Sequence, residues 1–125
     1  MKKLLLLGIL AALILAVVFS AAALIERRAN AEPGATHDVV LRKDGFDPKT
    51  LTIKRGDRVV FSTTEPQPFW PASNPHPIHS DDPAFDPKRP IQPGETWSFT
   101  FADAGTFGFH NHLDSPVQGS IIVTP

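Results

Sequence analysis

The sequence predicts an all-β sandwich, and three observations support that fold class. Runs with apolar residues at every second position recur between residues 37 and 63, and aromatic residues alternate between residues 97 and 109. Clusters of Gly, Asp and Pro separate these runs. Alternation between such turn signals is typical of strands that place one face on a core. About 94 residues follow the apolar N-terminus, which is enough for one modest domain.

The N-terminus carries a leader, and we assign residues 1–31 to it and residues 32–125 to the domain. An uncharged, mostly apolar run extends from Leu4 to Ile25 behind two lysines. A cleavable signal peptide needs roughly 7 to 15 such residues and a membrane-spanning helix about 20, so the run favours a retained anchor. Residues 29–31 (Ala-Asn-Ala) form a passable cleavage site, which keeps a signal peptide open. Both alternatives predict an extracytoplasmic domain, periplasmic or at the cell surface, and an uncleaved helix would attach it to the membrane.

Charge and composition exclude several classes of protein. Residues 32–125 contain 8 of the 12 basic residues and 12 of the 13 acidic residues, and 8 minus 12 gives a net charge near −4. Such a domain offers no basic surface for nucleic acid. The chain contains no Cys, so it has no disulfide, no thiolate nucleophile and no thiolate metal ligand. Because the sequence also lacks a Gly-rich phosphate loop and a nucleophile elbow, we do not predict an enzyme.

The first half of the domain predicts three strands. They lie at residues 37–42, 50–54 and 58–63. A turn at residues 43–48 separates the first two strands, and Phe46 within it is the expected core anchor. Leu51 and Ile53 share one face of the second strand, because side chains two residues apart in a strand point the same way.

A proline-rich loop follows between Glu65 and Pro93. Eight prolines lie between those two residues, and the apolar residues show no periodicity, so we expect no regular structure there. A structureless run of this length in a compact domain is uncommon and is usually functional. Because proline fixes φ, such a loop can hold side chains in place without a ladder of hydrogen bonds.

The closing stretch predicts three antiparallel strands. Aromatic runs at residues 96–101 and 106–112 flank an Asp-Ala-Gly turn at residues 103–105. A β-branched run at residues 119–123 follows. The loop between the last two strands begins with His-Asn-His at residues 110–112, and we expect the chemistry of the protein in this loop.

These motifs resemble the cupredoxins, the plastocyanin-like copper proteins, over nearly all of residues 38–123. Gly-Phe-x-Pro, apolar alternation, Lys-x-Gly-Asp and Val-Val-Phe occur in that order at residues 45–61, as in the front half of the family. Pro-Gly-Glu at residues 93–95 is similar to the turn before the family's closing strands. The resemblance implies a Greek-key β-sandwich or barrel, and it implies copper binding with electron transfer as the usual activity.

The copper ligands of the family are replaced in this sequence. The closing Gly of the family pattern matches Gly119. The copper-binding Cys, His and Met positions then fall on Asn111, Asp114 and Val117. The family's first copper-binding His falls on residues 69–70 (Phe-Trp). Since a type 1 copper centre depends on its thiolate, the resemblance implies the fold of the family without a type 1 copper centre.

Histidines supply a different candidate site. Four of the five lie in two short segments, one in the proline-rich loop and one at a strand end. Imidazole binds copper and other late first-row metals, and ligands close in sequence are less costly to gather. The strand places His110 and His112 on one face, while Asn111 points inward and can tie the loops together through its amide. We predict a copper site formed by His76, His79, His110 and His112, with zinc and nickel less favoured by the Irving–Williams order.

Other residues have weaker assignments. We take Asp81, Asp82 and Asp114 as candidate oxygen ligands or as acceptors behind the imidazoles. We expect His37 on the surface. Trp70 is expected to pack, and a role in shielding the metal or in contacting a partner stays open. The alternative to a metal site is a fold that has lost its metal and keeps ordinary surface histidines.

The sequence leaves four functions to weigh. The leading one is an exported copper protein for storage, delivery or handling, whose partners are the metal ion and a membrane-associated or periplasmic protein. Electron transfer would need an atypical copper site that cycles rapidly, because the tuning by a thiolate is lost. A metal-free interaction module would present the proline-rich loop to a partner protein. A copper-dependent enzyme has the least support, because no substrate pocket is marked.

Overall fold

The computed structural model describes residues 16–21 and 34–125. The chain divides into two units, Met1–Glu32 and Pro33–Pro125. In the first unit residues 16–21 are helical, and the Ser20 hydroxyl donates a hydrogen bond to the Ala16 carbonyl (2.9 Å). Most of the apolar run lies outside the described residues, so the signal or anchor and the boundary at residue 31 stay predictions. Among the described residues, no helix is both long and apolar enough to span a membrane.

Residues 34–125 form eight strands in two four-stranded sheets. The strands are β1 Thr36–Arg42, β2 Gly45–Asp47, β3 Thr50–Lys54, β4 Arg58–Thr63, β5 Pro71–Ser73, β6 Trp97–Thr100, β7 Gly105–Asn111 and β8 Asp114–Thr124. One sheet has the order β2-β1-β4-β6 and the other β3-β8-β7-β5. β1 runs parallel to β4 and β3 runs parallel to β8, whereas the other neighbours are antiparallel. The predicted all-β sandwich is confirmed, and β1, β3 and β4 lie where the sequence predicts strands.

The three strands predicted at the end of the domain are all present, but the first does not pair with the second. β7 pairs with β8, but β6 lies in the other sheet beside β4. Just after β6, the Phe101 N–H donates to the Asp57 carbonyl (3.0 Å), and the Phe101 carbonyl accepts from the Gly56 N–H (2.7 Å). These bonds hold the chain against the turn before β4, and it then crosses to the second sheet. Alternation identifies the face that a strand buries and leaves its pairing partner undetermined.

The core lies between the sheets and is rich in phenylalanine. Phe61 of β4 and Phe109 of β7 meet edge to face, with ring centroids 5.4 Å apart. Phe46 of β2 contacts Phe109 at 4.8 Å and is 5% exposed, which confirms it as a core anchor. Gly119 of β8 leaves room for this packing, because a Cβ there would lie 2.4 Å from Phe109 Cζ. The buried apolar cluster comprises Val39, Leu41, Phe46, Ile53, Val59, Phe61, Phe69, Phe85, Ile91, Phe101, Phe109, Ile121 and Val123.

The proline-rich loop is more ordered than its sequence predicts. It contains β5, which pairs with β7, and an isolated bridge that joins Phe69 to Ile91. Phe85, in the middle of the loop, is fully buried. Its ring centroid lies 5.1–5.7 Å from those of Phe61, Trp97, Phe99, Phe101 and Phe109. The expectation of a structureless loop is therefore wrong, because single apolar residues between prolines anchor it without producing any periodicity.

Candidate metal centre

The pairing of β5 with β7 brings the two histidine segments together. Ala72 of β5 lies opposite His110 of β7. Just after β5, the Asn74 N–H donates to the Gly108 carbonyl (3.1 Å). The part of the proline-rich loop that carries His76 and His79 therefore begins beside β7, the strand that carries His110.

The pairing of β7 with β8 becomes irregular at the segment that carries His110 and His112. The register of β7 against β8 shifts between His110 and Asn111, and both side chains are buried. Asn111 Oδ1 accepts hydrogen bonds from the backbone N–H groups of Trp70 (2.9 Å) and Leu113 (3.3 Å). The N–H of His112 donates to the Trp70 carbonyl (2.7 Å). These bonds confirm that Asn111 ties the two loops together.

A tight turn presents His79. Its N–H donates to the Pro75 carbonyl (2.9 Å), and its φ of 52° lies in the left-handed region. That conformation costs a residue other than Gly roughly 1–3 kcal/mol, although His enters it more readily than most residues do. Backbone strain of this kind is concentrated at functional sites. The geometry of His79 is thus held by its surroundings.

The four histidines converge at one end of the sandwich. Each of His76, His79, His110 and His112 offers a ligating nitrogen, and these four atoms lie within 4.8 Å of one another. His79 Nε2 is 2.9 Å from His112 Nδ1, and His76 Nδ1 is 3.3 Å from His110 Nε2. Nitrogens bound at about 2.0–2.1 Å to one ion lie roughly 3 to 4 Å apart. The cluster therefore has about the size of a site for one metal ion.

The cluster has a buried side and an open side. His79 and His110 are 5% and 1% exposed, whereas His112 is half-buried and His76 is exposed. The two buried rings lie against the loop and β7. Solvent reaches the cluster from the His76 side.

Two polar side chains orient the buried rings. Asp86 Oδ2 lies 2.7 Å from His79 Nδ1, and Asn74 Oδ1 lies 3.0 Å from His110 Nδ1. Because these oxygens accept, both rings carry the proton on Nδ1 and direct the Nε2 lone pair into the cluster. Gly108 makes room for Asn74, since a Cβ there would lie 2.6 Å from Asn74 Nδ2.

Burial and mutual repulsion favour neutral imidazoles. Burial, followed by the charges of His79, His76 and His112, lowers the pKa of His110 to about 4. Burial also lowers the pKa of His112, again with repulsion from His79 and His76. Neutral imidazole is the form that binds a metal, so these two rings are in the ligating form at neutral pH.

Asp86 supplies a negative charge beside the cluster. Burial opposes its charged form, but hydrogen bonds from His79, Lys88 and Trp70 outweigh burial and hold the pKa of Asp86 well below its usual range. The Trp70 ring lies 4.6 Å from the ring of His112 and 6.5 Å from that of His79. Trp70 thus packs against the cluster, as predicted.

The carboxylates predicted to support the site are not the ones that do so. Within residues 34–125, Asp86 is hydrogen-bonded to a cluster imidazole, whereas Asp81, Asp82 and Asp114 are not. Asp82 Oδ1 instead accepts from the Ala84 N–H (3.1 Å) inside its own turn. Phe85, which is buried, precedes Asp86 in the chain, but no motif or spacing in the sequence pairs Asp86 with His79, so sequence reasoning missed it.

His37 is partly exposed, and it is paired with a buried carboxylate, which the sequence did not indicate. Its Nε2 lies 2.8 Å from Asp57 Oδ2, and its side chain is 29% exposed. Asp57 also accepts from the N–H groups of Ala35 (2.8 Å) and Lys54 (3.0 Å). His37 is outside the four-histidine cluster and ties the start of β1 to the turn before β4.

The profile of the family described as cupredoxin-like domain matches residues 9–123, and the chain belongs to this family. The resemblance seen in the sequence is thereby confirmed. A comparison with curated proteins gave no match.

Solved structures show the same fold. A mutant of amicyanin in the reduced state is 23% identical with a TM-score of 0.61, and the match covers 77% of this chain and 88% of amicyanin. Another amicyanin mutant, described as a Cu(I) form, matches at 23% identity over the same shares with a TM-score of 0.61. A purple cupredoxin from Nitrosopumilus maritimus is 15% identical, with a TM-score of 0.62 over 70% of this chain and 98% of that one. At these identities the similarity shows the fold alone.

Proposed function

We propose that this protein binds one copper ion through His76, His79, His110 and His112, and that it stores, delivers or otherwise handles copper outside the cytoplasm. The observation that carries the proposal is the convergence of four imidazoles, each with a ligating nitrogen within 4.8 Å of the others. Two of these rings are held by hydrogen bonds in the tautomer that turns Nε2 toward the cluster. Fixed ring orientations distinguish this candidate metal site from four histidines that merely share a surface.

The donor set fits copper and does not fit a type 1 centre. Imidazole suits copper, zinc and nickel, and the Irving–Williams order places copper first among them. An amicyanin mutant with the same fold is described as a Cu(I) form, which makes copper the first metal to test. A type 1 centre needs a thiolate, and the chain contains no Cys. Zinc is the second candidate for the same four nitrogens.

The number of protein ligands supports a binding protein over an enzyme. Four protein ligands complete a four-coordinate site, whereas catalytic sites keep a position open for water or substrate. His76 is the exposed ligand, so it is the one that a partner's ligand would replace during transfer of the metal. We place this activity outside the cytoplasm because an apolar run of 22 residues, Leu4 to Ile25, precedes the domain.

Copper(II) titration of the purified protein tests the proposal. We expect one equivalent to bind, with an electron paramagnetic resonance spectrum that shows nitrogen coupling and without the intense absorption of a thiolate. The double variant His110→Ala/His112→Ala should lose this spectrum. His37→Gln, which removes a histidine outside the cluster, should keep it. A wild-type spectrum identical to that of free copper would overturn the proposal, as would unchanged binding in the double variant.

A further inference from the structure

Asp86 is a buried carboxylate whose two oxygens are fully engaged. Its side chain is 5% exposed. Oδ1 accepts from Trp70 Nε1–H and from the Lys88 backbone N–H, both at 2.8 Å. Oδ2 accepts from His79 Nδ1–H (2.7 Å) and from Lys88 Nζ (2.9 Å). Four donors around two oxygens leave no place for a proton, so this carboxylate is charged.

The residues before and after Asp86 in the chain are held by contacts of their own. The neighbouring Phe85 is fully buried, and its carbonyl accepts from the Ser73 N–H (2.9 Å). On the other side, Lys88 has a φ of 60°, a left-handed conformation that closes the turn in which its N–H reaches Asp86. The position of the charge is therefore set by the core and by a local turn.

We propose that Asp86 makes the histidine site prefer Cu(II) over Cu(I), by orienting His79 and by placing a fixed negative charge behind it. This inference rests on the proposed function, copper binding by the four histidines. A carboxylate that accepts from a ligating imidazole makes that imidazole a stronger donor. A buried negative charge also attracts a doubly charged ion more than a singly charged one. The site has no sulfur ligand, the type that selects Cu(I).

Lys88 acts on the same preference in the opposite direction. Its Nζ lies 2.9 Å from Asp86 Oδ2, while its side chain is 67% exposed. The ammonium group offsets part of the carboxylate charge. Removing the Lys88 charge should therefore strengthen the preference for Cu(II), whereas removing the Asp86 charge should weaken it. A purely structural role of Asp86 does not predict opposite signs.

The first experiment measures the affinities of the purified protein for Cu(II) and Cu(I) against competing chelators, and the reduction potential of the copper-loaded protein. In Asp86→Asn we expect the Cu(II) affinity to fall by about 10- to 100-fold, the usual effect of losing a partner behind a ligand. The Cu(I) affinity should fall less. Each tenfold difference between the two losses raises the reduction potential by about 59 mV.

Two further variants separate charge from structure. Asp81→Asn removes an exposed carboxylate from the same loop, one that is not hydrogen-bonded to a cluster ring in the described chain, and should shift the potential far less than Asp86→Asn does. Lys88→Met changes an exposed side chain, so it should fold even if Asp86→Asn does not. It should lower the potential and tighten Cu(II) binding severalfold. An unchanged or raised potential in Lys88→Met would overturn the inference.

The orientation of His79 can be tested without any metal. Nitrogen-15 spectra of the metal-free protein should show the proton of His79 on Nδ1, and in Asp86→Asn this tautomer should lose population. A wild-type His79 protonated on Nε2 would overturn the role of Asp86, whatever copper does. Failure of the wild type to take up copper would overturn the proposed function together with the preference for Cu(II), while the spectra would still report on the orientation.

Discussion

The metal-free protein should lose stability as the pH falls from 6.5 toward 4, because folded His110 resists protonation over this range. The pKa of this ring is lowered from 6.5 to about 4, first by burial and then by the neighbouring histidines. Between these values the unfolded chain binds a proton that folded His110 does not bind, so the free energy of unfolding rises with pH. The stabilisation is complete above pH 6.5 and is lost as the pH falls toward 4.

The expected magnitude follows from the size of this shift. One pKa unit corresponds to about 1.4 kcal/mol, so a shift from 6.5 to about 4 corresponds to roughly 3 kcal/mol. The lowered pKa of His112 acts in the same direction. The carboxyl groups of Asp86 and Glu95 have pKa values lowered from 3.8 and 4.5. The stability that they contribute to the folded protein is therefore lost mostly at pH values below the window of His110.

Urea denaturation of the protein with a chelator present, at steps between pH 4 and 6.5, measures the effect. His110→Asn keeps an N–H that can donate to Asn74 and removes the titrating ring. We expect this variant to flatten the pH dependence by roughly 3 kcal/mol across the window. His37→Gln, outside the cluster, should not reproduce the flattening. Equal pH dependence in the wild type and His110→Asn would show that His110 does not cause it.

Three substitutions test the frame around the site by urea denaturation. Phe85→Ala should cost about 3–5 kcal/mol, because it empties the centre of the aromatic core; a loss below 1 kcal/mol would contradict that role. Gly119→Ala should cost about 1–3 kcal/mol, since the new Cβ meets Phe109, and a neutral result would mean that the ring moves aside freely. Asn111→Ala should cost about 1–3 kcal/mol, because the N–H groups of Trp70 and Leu113 lose their acceptor. For this last variant, unchanged stability would show that water replaces the amide.

Much of the fold could be predicted because its signals are local. Alternation located β1, β3 and β4, and the aromatic Phe46 between turn residues was correctly placed in the core. The pairing of β6 could not be predicted this way, since its alternation is the same whichever strand lies beside it. The same limit applies to Phe85, which is one apolar residue among prolines and joins the core through contacts far away in the sequence.

The histidines of the candidate site could be predicted, and the residues that orient them could not. Two pairs of histidines with short spacings indicated the cluster, and a family frame placed their segments at the same end of the sandwich. Asp86 and Asn74 were missed. Asp86 contacts His79 within a loop that has no regular spacing, and Asn74 contacts the ring of His110, which is far away in the sequence. Asn74 contacts His110 across a strand pair, and no spacing rule connects 74 with 110. Partners of this kind become visible only when the backbone brings the segments together.

X-ray absorption of the copper-loaded protein identifies the atoms that bind the metal. We expect about four nitrogen neighbours near 2 Å with the multiple scattering of imidazole rings, and no sulfur neighbour. In His110→Ala/His112→Ala the imidazole signal should fall or the bound copper should disappear. A copper environment made of oxygen alone, or one unchanged by the double substitution, would contradict the claim that these four histidines hold the metal.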